Sequence, residues 1–451
     1  MEARPPTCSP LPAPATVPPP VCSSNRPRKF TAPLAPRPPR LRSSPPRKST
    51  ACPALPSNRR PESPALTAKR AYERRGYAVW EITLACNLAC NHCGSRAGKA
   101  RPNELTTVEA LDVVRQLKEV GIDEVTLIGG EAFLRRDWLE IARAIEDAGM
   151  ACTLTTGGFG ISTGLARRMV AAGIRQTSVS IDGLEATHDR LRGKKGSWKA
   201  CYQSLENLRE AGMRTACNTQ INRLTAPELD QAYELQRDAG MKAWQWQMTV
   251  PMGNAADQPD ILLQPYDFLD LFPRLARLKQ RADAEGVFIA PGNNVGYYGP
   301  FDRILRSEGD EWHVWAGCQA GQHGLGLEAD GTLKGCPSLP TKAYSGGNIR
   351  DHKIRDMILN APALNINSHN SVEHLWGFCQ SCEHADLCRG GCTWTAHVFF
   401  DRPGNNPYCH HRALKMAEKG LRERLELRQP APGDPFDNGA FEIIEEPLLN
   451  T

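Results

Sequence analysis

The sequence predicts an α/β protein whose central part is a partial TIM-like barrel of six β/α units. Between about residues 77 and 291, apolar strand-like runs alternate with helical patterns, as is typical of parallel βαβ units. Cysteines in metal-ligand spacing follow the first run and recur as a second group near the carboxyl end. A Pro- and Arg-rich segment, residues 1–70, precedes the barrel and is predicted to be disordered.

Composition sets this N-terminal segment apart. It holds 19 of the 36 prolines, and its 13 Lys or Arg residues against two Glu give it a net charge of +11. Since the whole chain carries +5, the remaining residues carry −6. Dense prolines oppose the amphipathic helix of a transit peptide, and no aromatic residues are interleaved as in a nucleic-acid arm. We expect a functionless extension or a start codon placed too early, and no nucleic-acid partner.

The six predicted strands form the barrel in chain order. They lie at residues 79–84, 124–128, 151–155, 177–181, 215–221 and 243–248. The first intervening helix begins with a capping box formed by Thr106 and Glu109. In β/α barrels the reactive groups follow the carboxyl ends of the strands, so motifs at these positions are expected to converge on one mouth.

Three cysteines follow the first strand in the run Cys86-Asn-Leu-Ala-Cys90-Asn-His-Cys93. Three thiolates can hold three irons of a four-iron, four-sulfur cluster and leave the fourth iron open. Tetrahedral zinc with one remote ligand is the alternative.

A second cysteine group favours iron-sulfur chemistry over zinc. Its spacing is C-x12-G-x4-C, then C-x2-C-x5-C-x3-C-x16-C, whereas zinc ribbons use paired C-x2-C units. The residues are Cys318, Gly331, Cys336, Cys379, Cys382, Cys388, Cys392 and Cys409. Ten cysteines that must stay reduced indicate a cytoplasmic protein, and Cys152, Cys201 and Cys217 are expected in the core.

The first cysteine run, with His92 before its last member, resembles the radical S-adenosylmethionine (radical SAM) enzymes, and the second group resembles their SPASM extension. The resemblance implies three [4Fe-4S] clusters, one of which binds S-adenosylmethionine and cleaves it reductively to a 5'-deoxyadenosyl radical. Cys379, Cys382, Cys388 and Cys409 would close one auxiliary cluster. Cys318, Cys336 and Cys392 would hold the other, whose remaining iron is expected to face water, His313, His323 or a substrate atom.

The resemblance also divides the chain. It implies a radical SAM barrel at 75–291, a bridging region at 292–317, a SPASM domain at 318–412, and a C-terminal helix with an acidic tail at 413–451.

Residues at the ends of four further strands are candidates for the S-adenosylmethionine contacts of this family. Gly129-Gly130-Glu131 resembles the motif that receives the methionyl ammonium, although a tight turn also explains it. Ser180 and Arg192 correspond to residues that contact the methionyl carboxylate. Asp182 is expected at the ribose or in fixing a loop, and Asn218, like residues 155–157, at the ribose.

Two features concern the reaction itself. Sulfatase-maturing relatives carry an aspartate that acts as general base directly after the cysteine equivalent to Cys336, where this chain has Pro337. Glu328 and Asp330 are therefore the candidates for a replacement catalytic base. In the sixth strand the alternation directs either the tryptophans or the glutamines (Gln245, Gln247) into the barrel.

The predicted function is modification of a ribosomal precursor peptide, most simply by a C–C or C–heteroatom crosslink between side chains. A cellular electron donor such as ferredoxin or flavodoxin would supply the reducing electron. The alternatives are side-chain oxidation as in sulfatase maturation, oxidation of a small alcohol or sugar, and a non-catalytic iron-sulfur scaffold. No apolar run is long enough to span a membrane, so no membrane partner is expected.

Overall fold

The computed structural model describes residues 76–308 and 311–448. The predicted disordered segment 1–70, with Cys8, Cys22 and Cys52, lies outside the described residues. A nine-stranded sheet forms the centre of the fold. Among the described residues, no helix combines the length and the apolar character needed to cross a membrane.

The first seven strands are parallel and follow one another in chain order. They are β1 (Gly76–Glu81), β2 (Ile122–Ile128), β3 (Ala151–Thr156), β4 (Gln176–Ser180), β5 (Arg214–Ile221), β6 (Ala243–Met248) and β7 (Phe288–Pro291). The six predicted strands are confirmed, and β1 begins and ends three residues earlier than expected. The seventh strand was not predicted because it is only four residues long.

Helices cover the outer face of this sheet. They are α1 (Thr107–Glu119), α2 (Trp138–Asp147), α3 (Thr163–Ala171), α4 (Glu185–Arg192), α5 (Ser197–Glu210), α6 (Leu229–Asp238) and α7 (Phe268–Ala284). The predicted capping box is confirmed: Thr106 accepts a hydrogen bond from the Glu109 main-chain N–H, and the Glu109 carboxylate accepts one in return.

The two faces of the sheet differ in polarity. Side chains that point toward the helices are buried and mostly apolar, and Trp244 and Trp246 of β6 are among them. Trp244 stacks on Tyr233 of α6 at a centroid distance of 5.9 Å. The glutamines of β6 therefore face the concave side, where Gln247 is partly buried and Gln245 is exposed. Cys152, Cys201 and Cys217 are fully buried, as predicted.

The C-terminal region continues the barrel sheet. Strand β10 (Gly324–Leu327) pairs in parallel with β1, and β11 (Leu333–Lys334) pairs antiparallel with β10. The predicted boundary at residue 318 therefore does not coincide with a break in the structure. The hydrogen-bonding edge of β1 is therefore covered by β10, and the outer edge of β10 is covered by β11.

Short elements and one hairpin complete the C-terminal region. They are β8 (Ser307–Glu308), β9 (Glu311–Trp312), α8 (Asp302–Leu305), α9 (Thr341–Tyr344), α10 (Ile354–Asn360), α11 (Ala385–Cys388), α12 (Thr393–Phe400), α13 (His410–Glu418), β12 (Leu421–Gln429) and β13 (Ala440–Pro447).

In the region predicted to hold a C-terminal helix and an acidic tail, residues 413–451, the helix α13 is followed by an antiparallel hairpin of β12 and β13. Apolar residues at alternating positions, including Leu425 and Phe441, are buried there and outweigh the acidic composition.

Candidate functional site

The three cysteines that follow β1 lie on one loop at the mouth of the barrel. This cluster loop, residues 85–98, is closed at its base by main-chain hydrogen bonds from Cys86 N to Gly98 O (3.1 Å) and from Gly98 N to Leu84 O (2.9 Å). Cys86, Cys90 and Cys93 are free thiols of intermediate exposure. The loop therefore presents three sulfur atoms from a fixed base.

The surroundings of these thiols suit bound iron. Burial raises the pKa of Cys86 to about 11, so ionisation requires a nearby cation. Main-chain N–H groups already point at sulfur, from Leu88 to Cys86 (3.5 Å) and from Ala97 to Cys93 (3.4 Å). Such donors stabilise cluster thiolates. The donor set fits an iron-sulfur cluster held by three thiolates.

The glycines after β2 allow two main chains to come into contact. Gly130 N donates to Thr83 O (2.7 Å), and Glu131 N donates to Ala85 O (2.7 Å). A Cβ atom on Gly130 would lie 2.5 Å from the Ala85 oxygen, and one on Gly129 would lie 2.5 Å from the Thr83 oxygen. Close approach, rather than a left-handed turn, thus requires glycine at both positions.

The carboxylate of Glu131 already has two partners. It is 1% exposed, accepts hydrogen bonds from the Thr156 hydroxyl (2.7 Å) and the Gly157 N–H (2.9 Å), and has its pKa raised by burial to about 7. Thr156 and Gly157 therefore fix this carboxylate, a role that the sequence did not predict.

Asp182 lies in a buried charge network beneath the cluster loop. Its side chain is fully buried and contacts Arg192 Nη2 (2.6 Å) and His92 Nε2 (3.1 Å), while its second oxygen accepts from Gln220 N–H (2.8 Å). Burial opposes ionisation of Asp182, but Arg192 and His92 outweigh it and hold the pKa below its usual value. Asp182 thus connects the cluster loop, through His92, to the end of α4, through Arg192.

Arg192 reaches the cluster loop from the end of α4. Its Nη1 lies 3.8 Å from Cys90 Sγ, and its main-chain oxygen accepts from Ala89 N (3.2 Å). Nε of Arg192 and Nδ1 of His92 are buried without a hydrogen-bond partner among the described residues. Each of these two nitrogen atoms is thus a buried polar atom without a partner, and the Arg192 guanidinium lies beside Cys90.

Ser180 and Asn218 lie on the concave face of neighbouring strands. Ser180 pairs with Asn218 in the register of β4 and β5, and Asn218 pairs with Gln245 in the register of β5 and β6. Gln220 Nε2 contacts Gln247 Oε1 at 3.4 Å. Among the described residues, the side chains of Asn218 and Gln245 have no hydrogen-bond partner. A row of hydrogen-bonding groups thus crosses the concave face.

Four of the C-terminal cysteines interact electrostatically with one another. Burial raises the pKa of Cys388, and the charges of Cys409, Cys379 and Cys382 raise it further. These are the four residues predicted to close one auxiliary cluster.

The other three cysteines form a second group. A hydrogen bond between the thiols of Cys318 and Cys392 lowers the pKa of Cys318 and raises that of Cys392, and Cys336 interacts electrostatically with both. Tyr77 is half-exposed, and its partial desolvation, together with the charges of these three cysteines, raises the pKa of the phenol to about 12. His313 is exposed and lies on a separate segment. Its main-chain N–H donates to the main-chain oxygen of Arg306.

The two candidate catalytic bases are engaged in ion pairs. Glu328 is 2% exposed and contacts Arg101 Nη1 (2.8 Å), Lys334 Nζ (2.7 Å) and the Thr341 hydroxyl. Asp330 contacts Arg101 Nη1 (3.3 Å) and accepts from Thr332 N–H (3.0 Å). These contacts hold both carboxylates at the β10–β11 edge of the sheet.

The chain is similar to known proteins over most of its length. The model of the radical SAM superfamily matches residues 80–234. The AdoMet-dependent heme synthase of Methanosarcina barkeri (strain Fusaro / DSM 804) is 29% identical over 75% of this chain and 97% of that protein. The mycofactocin maturase MftC of Mycobacterium ulcerans (strain Agy99) is 30% identical over 73% of this chain and 86% of that protein.

Solved structures share the fold at low sequence identity. Native anSMEcpe with bound AdoMet aligns with a TM-score of 0.59 at 17% identity, covering 74% of this chain and 94% of that one. Streptococcus suis SuiB bound to S-adenosylmethionine aligns with a TM-score of 0.56 at 14% identity, covering 74% and 76%. With three thiols on the loop after β1 of a parallel partial barrel, the chain belongs to the radical SAM superfamily of enzymes.

Proposed function

We propose that this enzyme cleaves S-adenosylmethionine reductively and oxidises side chains of a precursor peptide, forming a C–C or C–heteroatom crosslink. The observation that carries the proposal is the polar concave face, where Asn218 and Gln245 offer unpartnered amide groups. Primary amides both donate and accept, as the peptide group does, so a row of them suits an extended polypeptide.

The cluster loop and its neighbours would hold the cofactors. Cys86, Cys90 and Cys93 would bind the [4Fe-4S] cluster, and the open edge beside Arg192 and Ser180 would receive the methionyl group. When bound, the cluster supplies one electron to S-adenosylmethionine, and the resulting radical removes one hydrogen atom from the substrate. The side chains at the mouth of the barrel would bind and orient S-adenosylmethionine and the peptide substrate.

A crosslink requires a second oxidising equivalent. The substrate loses one hydrogen atom to the deoxyadenosyl group, and then one proton and one electron as the new bond closes. The C-terminal cysteines would hold two auxiliary clusters of the SPASM type, which can accept that electron. A ferredoxin or flavodoxin would reduce the first cluster before each turnover.

The relatives support a peptide substrate without fixing it. MftC is named as a mycofactocin maturase, and SuiB has been solved with its precursor peptide SuiA. A second candidate is a step of heme synthesis, favoured by the similarity that spans 97% of the heme synthase of M. barkeri. A porphyrin-type macrocycle is largely apolar. Placed on the concave face, it would cover the amide groups of Asn218 and Gln245 without offering them hydrogen-bond partners.

The test is anaerobic turnover of the reconstituted enzyme with S-adenosylmethionine and a reductant. One arm contains the peptide encoded beside its gene, the other an iron porphyrin precursor of heme, and mass spectrometry follows 5'-deoxyadenosine and the substrate mass. We expect deoxyadenosine and a loss of two mass units in the peptide arm alone. The Cys86→Ala/Cys90→Ala/Cys93→Ala variant is the control, and a product from the porphyrin arm alone would overturn the peptide proposal.

A further inference from the structure

The loop between β12 and β13, residues 430–439 and called here the C-terminal loop, lies directly against the cluster loop. Phe436 N donates to Gly94 O (3.1 Å), and Gly253 N donates to Asp437 O (2.9 Å). Met252 and Asn438 form an isolated antiparallel bridge. The segment that follows β6 thus lies between the cluster loop and the C-terminal loop and is bonded to both.

Arg96 joins all three segments. Its guanidinium has five N–H groups, and the structure gives each one an acceptor. Asp437 accepts from Nε (2.9 Å) and Nη2 (3.4 Å), Asp257 accepts from Nη1 (2.5 Å) and Nη2 (3.1 Å), and Asn254 accepts from Nη1 (3.0 Å). The Asp437 side chain is 7% exposed, so its pair with Arg96 is shielded from water.

Asn254 passes this arrangement on to the cysteines. Its N–H donates to Cys93 O (2.9 Å), and its side-chain Nδ2 donates to Cys90 O (2.8 Å). A Cβ atom on Gly253 would clash with the Cys93 carbonyl oxygen, so these two main chains are in direct contact. The carbonyl groups of two cluster-loop cysteines are therefore fixed by a residue that Arg96 also holds.

Two residues of this arrangement have an unfavourable main-chain conformation. Arg96 has φ +48° and Phe436 has φ +60°, in the left-handed region that side chains with a Cβ atom rarely occupy. The surrounding contacts impose it: Arg96 makes its five hydrogen bonds, and the Phe436 ring is buried with Lys334 Nζ 3.8 Å from its centroid.

We propose that the C-terminal loop is part of the S-adenosylmethionine cluster site, with Asp437 and Arg96 as positioning residues for the main chain of the cluster loop. Asp437 also shapes its own turn, since it accepts from the N–H groups of Gly433 (2.5 Å) and Asp434 (2.9 Å). Arg96 with Asp257 and Asp437 carries a net charge of −1 beside the loop. That charge favours the oxidised cluster and contributes to a low reduction potential.

The experiment compares Asp437→Asn with the matched control Asp434→Asn in the reconstituted full-length enzyme. Asp434 lies in the same loop, has the same charge and is exposed. The readouts are iron per chain, the EPR spectrum of the reduced protein with and without S-adenosylmethionine, and the reduction potential of the cluster that responds to it. For Asp437→Asn we expect a weakened EPR response, a more positive potential and at least about tenfold less 5'-deoxyadenosine.

Two further variants separate positioning from general stability. Asp437→Glu keeps the charge and should partly restore the EPR response. Arg96→Gln should reproduce the defect, and adding Asp437→Asn to it should cost little more, because the two residues act through one contact.

The proposal is overturned if Asp437→Asn keeps the wild-type EPR response and potential, or if Asp434→Asn shows the same loss. It is also overturned if Asp437→Asn loses iron from all clusters together with its fold, since the loop would then serve general stability alone.

Discussion

Replacing Asp182 by Asn tests the buried charge network beneath the cluster loop. The substitution keeps the size of the side chain but removes a charge that contacts Arg192 at 2.6 Å and His92 at 3.1 Å. The Arg192 side chain is only 10% exposed, so its positive charge would be left buried with little compensation. Breaking a buried ion pair in this way costs about 3–5 kcal/mol.

The expected change in melting temperature follows from the size of the folded unit. At an unfolding entropy of about 2.1 cal/mol/K per residue, about 370 described residues give about 0.8 kcal/mol per degree. The variant should therefore melt about 4–6 °C below the wild type. Circular dichroism of the iron-free proteins under anaerobic conditions measures this shift.

A neighbouring exposed pair provides the control. Glu185 of α4 contacts Lys199 at 2.8 Å, but the two side chains are 48% and 70% exposed, so Glu185→Gln should change the melting temperature by less than about 1 °C. A shift for Asp182→Asn as small as that of the control would refute the reasoning, because the charges would then be screened despite their burial.

The pH dependence gives a second check on Asp182. Its pKa in the folded protein lies below the ordinary value of 3.8, so its contribution to stability is present above that pH and is lost as the pH falls further. The difference between wild type and variant should stay constant from about pH 8 to 5 and shrink below about pH 4. A difference that grows in acid would contradict the assignment of a charged Asp182.

Three further predictions concern other parts of the site. Gly130→Ala should abolish iron binding at the cluster loop, because its Cβ would lie 2.5 Å from a carbonyl oxygen of that loop. In the control Gly98→Ala, the added Cβ meets nothing within 4 Å, so this variant should bind iron normally. The measurement is the iron content per chain. Glu423→Gln should lower the melting temperature by about 4–6 °C, because it breaks a bidentate pair with Arg412 in which both side chains are at most 3% exposed. Burial raises the pKa of Glu131 to about 7. If its carboxylate binds the methionyl ammonium, the dissociation constant of S-adenosylmethionine should rise as the pH falls through about 7. In Glu131→Gln the dissociation constant should not depend on pH, and isothermal titration calorimetry measures both.

The sequence by itself determined the parallel barrel and the position of the cluster loop. Six strands were predicted because their apolar runs alternate with amphipathic helices, which are local patterns. The cysteine run follows the first of these strands, so a rule about strand ends placed Cys86, Cys90 and Cys93 at the mouth.

The direction of side chains in β6 needed the structure. Alternation shows that Trp244 and Gln245 point to opposite faces, but both orders have the same period. The tertiary structure decided it, because Trp244 stacks on Tyr233 of α6 and its Nε1 donates to Thr219 (2.8 Å). The polar concave face follows from that packing.

Contacts between distant segments were decided only by tertiary structure. Strands β10 and β11 are four and two residues long, too short for a periodic signal, yet they extend the sheet beyond β1. The contact between Arg96 and Asp437 joins residues 341 positions apart, and the composition around Asp437 indicated only an acidic tail. Local pattern determines which strands and loops form, whereas the pairing of charges and edges depends on which segments the folded chain brings together.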